Sequence, residues 1–505
     1  GEPATKVRIE LDEHGSFAGT FGIMAEDRAM VAGVLGCLPD DARLFRSIEL
    51  AGDAGAAVEF AFTTITESRH PNAVKFVLTG RSGLMVELVG ASTGGGRVET
   101  VTIDGFPCRT TGDSYLLLVQ DPRDALRPEM LERLRADLPD ALDAHTVRVE
   151  GRGALHVIAL SAEPDVVALN DLLEGDAPVL RLALLRPVVP VVSRPDRKPQ
   201  LFDSMTRWRE LAVERDAPLW EVAVQYEMDA SGRPRHWVVE RMRELALVMR
   251  RQTRAVYEED LPVIDTEFKP DFARRWLRHA QTPARITDGV TAETVKYAYG
   301  AGAGIPGVEN VPGPMGGGAG YIYAALSAVK EARALSEDDL LRGLFVAAGV
   351  GAIAYTRTEP TGEVLGCTGE SGVCGAMAAA AVAEMVGGSS QAVENAASLA
   401  LQAFMGLPCD PMPGGLSQPC RSRIMAATCT AHVFADLALA GHDAVLPLHE
   451  ALDVADRIGR ALPSELLCTS EGGCCAAPAA QTRRAAYRRW FEESRPEDRP
   501  PGNLI

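Results

Sequence analysis

Eight of the ten cysteines lie beyond residue 366 of a 505-residue chain. They are Cys367, Cys374, Cys409, Cys420, Cys429, Cys468, Cys474 and Cys475, with Cys37 and Cys108 standing apart. A chain this long, with 46% hydrophobic residues, has enough apolar side chain to build its cores without cross-links. The clustering therefore reads as metal binding or catalysis rather than as a disulfide scaffold. Cys37, Cys108 and Cys429 read as small buried hydrophobes.

Three of the clustered cysteines stand where helices begin or end. Cys367 lies in LGCTGESG, just before a helix expected to run to Val386. Cys409 follows a helix over Gln391–Met405, past Gly406 and Pro408. Cys420 follows Pro419 and opens a helix expected to run to Ala440. Free backbone N–H groups at helix N-termini favour anions and thiolates. The spacing itself is no compact metal motif. Cys374, two helical turns beyond Cys367, reads as core.

The charge balance narrows the partners. Sixty-nine acidic residues against 51 basic ones give a formal net charge of −18, which argues against a nucleic-acid face. No apolar run reaches the roughly 18 residues of a membrane span. Gly343–Tyr355 and Ala376–Val386 are shorter and rich in Gly and Ala, so they read as tightly packed buried helices. The opening GEPATKVRIELDEHG has no apolar signal core. A cytoplasmic protein with a small-molecule partner is expected, with no nucleic-acid or membrane partner.

The fold class expected is multidomain α+β. Residues 1–113 read as an α+β domain. KVRIEL, AVKFVLTG, GLMVELVGAS, RVETVTIDG and FPCRTTG are strands, Ala25–Leu38 and Asp40–Ala51 helices, and Thr93–Arg97 (TGGGR) a tight loop between strands. That loop lacks the Lys and the strand–helix setting of a phosphate loop. Residues 114–187 read βαββαβ. Their strands are SYLLLVQD, HTVRVEG, ALHVIALSA and APVLRLALLR, with helices over Arg127–Leu138 and Asp165–Leu173. This order resembles an ACT domain, although DPRDALRP stands where that family has Arg-Pro-Gly. Residues 188–200 read as a Pro-rich linker, 201–490 as a mainly α-helical catalytic domain, and 491–505 as a tail. Ser336-Glu-Asp-Asp339 predicts a helix-capping box.

From about residue 201 to 475 the chain resembles the catalytic subunit of iron–sulfur-dependent L-serine dehydratases. GCTGESG, VENAASLAL, GLPCDPMPGGLSQPC and CTSEGG carry the likeness, with cysteine separations of 42 and 11 residues. ESRHPNAVKF and GASTGGGR followed by IDGF resemble that family's other subunit, so two subunits would be fused here. The resemblance implies that Cys367, Cys409 and Cys420 bind three irons of a [4Fe–4S] cluster. Its fourth iron would act as a Lewis acid for elimination of water or ammonia, and the protein would be a homodimer. Cys474, Cys468 or Cys475 could supply a further thiolate, and the metal set expected is Cys367, Cys409, Cys420 and Cys474.

Several positions of the family pattern are replaced. Its Ser-Ser-Ser-His-Thr-x-Gly-Pro-Met loop reads Ser16 to Met24, keeping Thr20 but putting Gly19 for the His. Its Pro-Thr-Ala-Gly-Ser-Ser-Gly loop reads Pro314 to Gly320, with Gly318 among the replacements. Its Asn-Ala-Ser reads Arg357-Thr-Glu359. Its Lys-Tyr-Arg-Glu-Thr-Ser-Arg-Gly-Gly reads Glu465 to Gly473. The types lost are those that would hold a carboxylate and an ammonium, so the substrate expected is not plain serine. Glu370, Asp410, Arg423 and Ser470 are the candidate catalytic residues. His70, Thr20, Gly318 and Thr469 are the candidate substrate contacts. Two other readings stay open: a C–S lyase or desulfidase, and a non-catalytic or redox protein whose cluster is closed by four cysteines.

Overall fold

A computed structural model of the chain describes every residue except 1, 14, 22–25, 39–40, 113, 125, 127–131, 133–135, 137, 139, 166–180, 188–199, 262–264, 269, 306, 413–417 and 494–505. The side chains of residues 19, 20 and 491–493 are likewise not described. The fold is multidomain and mixed α+β, with sheets toward the N-terminus and helices beyond.

Two compact units divide the chain. One gathers Gly1–Asp12, Ala56–Thr93 and Arg97–Val192; the other gathers Glu13–Gly55, Gly94–Gly96 and Ser193–Ile505. The segment 13–55 and the three glycines of TGGGR thus belong by contact to the helical unit.

The sheet unit has ten described strands. β1 (Ala4–Asp12), β2 (Ala57–Thr63), β3 (Ala73–Gly80), β4 (Met85–Ser92), β5 (Val98–Ile103) and β6 (Phe106–Thr110) form one sheet in the order β2-β1-β3-β4-β5-β6. Only the β1–β2 pair in it is parallel. Sequence analysis missed β2: AVEFAFT carries Glu and Ala among its apolar residues and breaks clean alternation. β7 (Tyr115–Asp121), β8 (Ala141–Val149), β9 (Gly153–Leu160) and β10 (Arg181–Leu185) form an antiparallel sheet in the order β10-β7-β9-β8. That is the strand order a βαββαβ chain gives when each half-unit crosses back beside its start. The two expected helices of this segment, and the expected linker, fall mostly outside the described residues. Both faces of the smaller sheet are buried. Leu117, Val119, Ile158 and Leu160 pack on one face, and Leu116, Leu118, Leu155 and Val157 pack with Phe106 and Cys108 on the other.

The helical unit is built around five helices that matter for the site: α1 (Gly318–Arg333), α2 (Glu337–Arg357), α3 (Val373–Met385), α4 (Ser390–Ala403) and α5 (Cys420–Cys429). α3, VCGAMAAAAVAEM, is small or apolar at every position but Glu384, and it lies in the middle of the core. Its neighbours approach closely because glycines face it. A Cβ on Gly343 of α2 would stand 2.7 Å from Met385, and one on Gly375 would stand 3.0 Å from Ala427 of α5. α2 is long and apolar enough to cross a membrane, but 67% of that stretch is buried inside the unit. Its N-terminus carries the expected capping box between Ser336 and Asp339.

Three expected helices differ in extent. Among the described residues, the helix expected over Ala25–Leu38 is Glu26–Val34 and ends before Leu38, and that expected over Asp40–Ala51 is a 3-10 turn over Ala42–Arg46 followed by Ser47–Asp53. The helix expected from Cys420 to Ala440 breaks at Thr430, where the chain restarts as Ala431–Leu439. The Thr430 hydroxyl donates to the carbonyl of Ala426 at 2.7 Å, a local bond that competes with continued helix.

Candidate iron–sulfur site

The first cysteine stands on a widened turn. Gly366 enters with φ of +61°, where a side chain would run into the Leu407 carbonyl. Cys367 then opens a π-helical turn over Thr368–Gly372, which passes into α3. The helix expected directly after Cys367 therefore starts one turn later. Such widened turns recur at functional sites. Here the turn brings the Ser371 hydroxyl to 3.0 Å from the Cys367 sulfur. Thr368 reaches sideways from the same turn. Its hydroxyl donates to the Phe404 carbonyl at 2.9 Å and accepts from the Leu407 amide at 3.0 Å.

Cys409 lies in an extended stretch. Its amide donates to the Leu466 carbonyl at 2.8 Å, its carbonyl accepts from the Cys468 amide at 2.7 Å, and Cys409 pairs with Leu467 in a parallel bridge. Cys420 is the first residue of α5, as its sequence setting predicts. All three thiols are buried, at 0%, 2% and 1% exposure in chain order.

The thiols touch in a chain. Hydrogen bonds from Cys367 and Cys409 hold the Cys420 thiol well below its ordinary range. The same bonds, together with burial, push Cys367 and Cys409 well up. Cys409 also hydrogen-bonds Cys468; that bond pulls the Cys468 thiol down, but burial leaves it at about 11. Among the described residues no three side chains converge on a single point as they would around one metal ion. A four-iron cluster asks for something else: one thiolate for each of several separate irons. Three buried thiols, with the half-buried Cys468 beside Cys409, fit that demand.

Space beside the thiols is kept open by a glycine. A Cβ on Gly362 would stand 2.6 Å from the Cys409 sulfur and 3.2 Å from Glu370 Oε2. The Glu370 carboxyl lies against Cys409, with Oε2 3.9 Å from the sulfur. Burial first, then the negative Cys420 and Glu363, push it well above the usual carboxylate range.

The other candidate residues are placed as follows. Asp410 is 2% exposed, accepts from Arg423 Nη1 at 2.6 Å through one oxygen, and accepts from the Cys474 amide at 2.7 Å through the other. Arg423 also donates to the Pro408 carbonyl at 2.6 Å. Asp410 and Arg423 therefore satisfy each other and brace the loops on either side of the thiols. Cys474 lies on Asp410, while Cys468 holds the place beside Cys409. The Cys475 sulfur donates to the Pro411 carbonyl at 3.0 Å. Ser470 is 1% exposed, has a left-handed φ of 60°, and its hydroxyl has no hydrogen-bond partner among the described residues. Thr469 donates to the Glu465 carbonyl at 3.2 Å and closes its own turn. Gly318 opens α1, where a Cβ would stand 3.0 Å from the Cys374 sulfur. Thr20 ends a short helix over Ser16–Thr20, and its side chain is outside those described. His70 lies in the sheet unit, where its Nδ1 accepts from the Asn72 amide at 3.1 Å.

Sequence reasoning missed Ser371, Thr368, Gly362 and a second buried hydroxyl without a partner among the described residues, on Thr361. Small and hydroxyl residues are too common for their type alone to mark a site. The replaced position Arg357 is also accounted for: its guanidinium grips Asp453 with both carboxylate oxygens, at 2.9 and 2.6 Å.

A model of the serine dehydratase alpha chain family matches residues 214–475, more than half of the chain. The chain belongs to the serine dehydratase alpha chain family. Its similarity extends to a probable L-serine dehydratase alpha chain of Bacillus subtilis, 34% identical over 168 residues, covering 33% of this chain and 56% of that one. The corresponding alpha chain of Latilactobacillus sakei is 35% identical over 165 residues, 33% of this chain and 79% of that one. An L-serine dehydratase beta chain from Peptoniphilus asaccharolyticus is 39% identical over 115 residues, 23% of this chain and 52% of that one. One chain of the serine dehydratase family here carries likeness to both subunits. The matched stretch spans little more than half of the Bacillus relative.

Proposed function

We propose that the chain is a [4Fe–4S]-dependent lyase that eliminates water or ammonia from a polar carboxylate substrate other than plain serine. The observation that carries this reading is the buried thiol chain Cys367–Cys420–Cys409, set in a member of the serine dehydratase family. When bound, such a cluster supplies a Lewis acid for a leaving group.

The chain's own residues would do the rest. Burial holds the Glu370 carboxyl well above the usual carboxylate range and it lies beside the thiols, so it is placed to exchange a proton with a departing group. The buried hydroxyls of Ser470 and Thr361 have no partner among the described residues and can donate to a substrate oxygen. Asp410 and Arg423 hold the loops that carry Cys409, Cys420 and Cys474. A changed substrate is supported by the pairing of Arg357 with Asp453 and by the glycines at positions 19 and 318. The ACT-like reading of the four-stranded sheet rests on its strand order and names no effector.

The test is an anaerobic assay of reconstituted protein against β-hydroxy and β-thio carboxylates, reading ammonia, keto acid and sulfide. Elimination from a hydroxylated substrate, with little pyruvate from serine, is the expected result. Sulfide release alone would move the reading to a desulfidase. Turnover of serine at the rate of the best substrate would refute the changed specificity.

A further inference from the structure

We propose that Cys468 is the fourth thiolate ligand of the cluster, carried to it by the bridge between Cys409 and Leu467. The proposal rests on the reading that Cys367, Cys409 and Cys420 hold that cluster.

Backbone geometry comes first. The Leu466 carbonyl accepts from the Cys409 amide at 2.8 Å, and the Cys468 amide donates to the Cys409 carbonyl at 2.7 Å. With Leu467 paired to Cys409 between them, Cys468 cannot drift from the second cysteine without breaking a sheet-like contact. The backbone contact therefore sets Cys468 beside Cys409.

The loop holding Cys468 is set for a purpose other than rest. Cys468 at φ 64° and Ser470 at φ 60° are both left-handed, where a side chain is unfavourable and glycine is the ordinary occupant. A chain that keeps a cysteine there keeps it for the direction of its thiol. In the motif that this stretch resembles, the same position is a glutamate, so the thiol is a property of this chain.

The other nearby cysteines are engaged elsewhere. Cys474 lies on Asp410, Cys475 donates to the Pro411 carbonyl, and Cys374 lies against Gly318. Ligation by Cys468 forms one iron–sulfur bond, releases the thiol proton to solvent and changes no oxidation state. It also fixes what the lyase reading requires of the loop: the bond at Cys468 must give way when substrate arrives. Ser470, two residues on with its hydroxyl unpaired among the described residues, sits where that movement would be felt.

The experiment is Mössbauer spectroscopy of full-length, anaerobically prepared ⁵⁷Fe protein, comparing wild type, Cys468→Ala and Cys474→Ala. The expected wild-type spectrum has no iron set apart from the others. Cys468→Ala keeps the cluster but resolves one distinct iron, and Cys474→Ala matches wild type. A distinct iron already present in wild type and unchanged in Cys468→Ala overturns the proposal while leaving the lyase reading intact. A distinct iron produced by Cys474→Ala instead also overturns it. A wild-type protein that takes up no cluster at all removes both. Should Cys468→Ala not fold, a distinct iron in wild type or one produced by Cys474→Ala still overturns the proposal, and Cys468→Ser is expected to load in its place with one iron set apart. Alkylation of the holoprotein gives a second readout: Cys468 is protected along with Cys367, Cys409 and Cys420, and Cys474 is labelled.

Discussion

The guanidinium of Arg423 lies 2.6 Å from the carboxylate of Asp410, and that carboxylate is almost fully buried. The pair ties the loop after Cys409 to the helix that begins at Cys420. Removing one partner leaves the other charge buried and uncompensated, which costs about 3–5 kcal/mol. Arg423→Met is accordingly expected to lower the unfolding free energy of the cluster-free protein by about 3 kcal/mol, measured by urea denaturation. A loss below about 1 kcal/mol, the range of a solvated surface pair, would mean that the bridge is not structural.

Cluster loading should follow the thiols. Cys367→Ala, Cys409→Ala and Cys420→Ala are each expected to abolish iron and sulfide uptake on anaerobic reconstitution. Cys374→Ala and Cys475→Ala should load as wild type, because both thiols are engaged away from the chain of four. Iron and acid-labile sulfide analysis distinguishes the two groups.

Gly362 offers a steric test. The 2.6 Å between its notional Cβ and the Cys409 sulfur is closer than such atoms ever come. Gly362→Ala should push the sulfur aside, costing about 1–3 kcal/mol and most of the iron content, since overpacking forces side chains off their minima. Full iron content in a normally folded Gly362→Ala protein would show that the loop has slack.

Burial pushes the Glu384 carboxyl from its ordinary 4.5 up to about 7. Between those two pH values the folded chain holds a proton that the unfolded chain has released. Stability is therefore whole below about 4.5, falls as the pH rises, and has lost its full increment above about 7. At roughly 1.4 kcal/mol per unit, discounted for the partial exposure of this residue, the loss is about 2 kcal/mol. Glu384→Gln should be more stable than wild type by that margin at pH 8 and equal to it at pH 4.5, measured on cluster-free protein. A pH-independent difference would show that the carboxyl titrates normally.

What could be read from sequence was set by periodicity and by residue type. α3 was legible because VCGAMAAAAVAEM has no polar face, and the cap at Ser336 because its partner stands three residues on. β2 was not, because its alternation is broken, and the break at Thr430 turns on one local hydroxyl bond. At the site, cysteines announce themselves, and all four members of the thiol chain were candidates. Which of the late cysteines joins the other three was not readable, because it depends on a bridge between residues 409 and 467. Asp410 and Arg423 were singled out as candidate catalytic residues, and the structure places them beside the cysteines. Their mutual pairing became visible only once α5 and the preceding loop were placed in space.

The hydroxyl of Thr368 has a consequence for how such a centre is assembled. By clasping the Phe404 carbonyl and the Leu407 amide, it joins the segment of the first cysteine to the approach to the second, using only protein atoms. The two walls are thus tied to each other by contacts that bypass the sulfurs. Replacing a sulfur should therefore leave the spacing of those walls in place, as a doorway keeps its frame when the door is taken off.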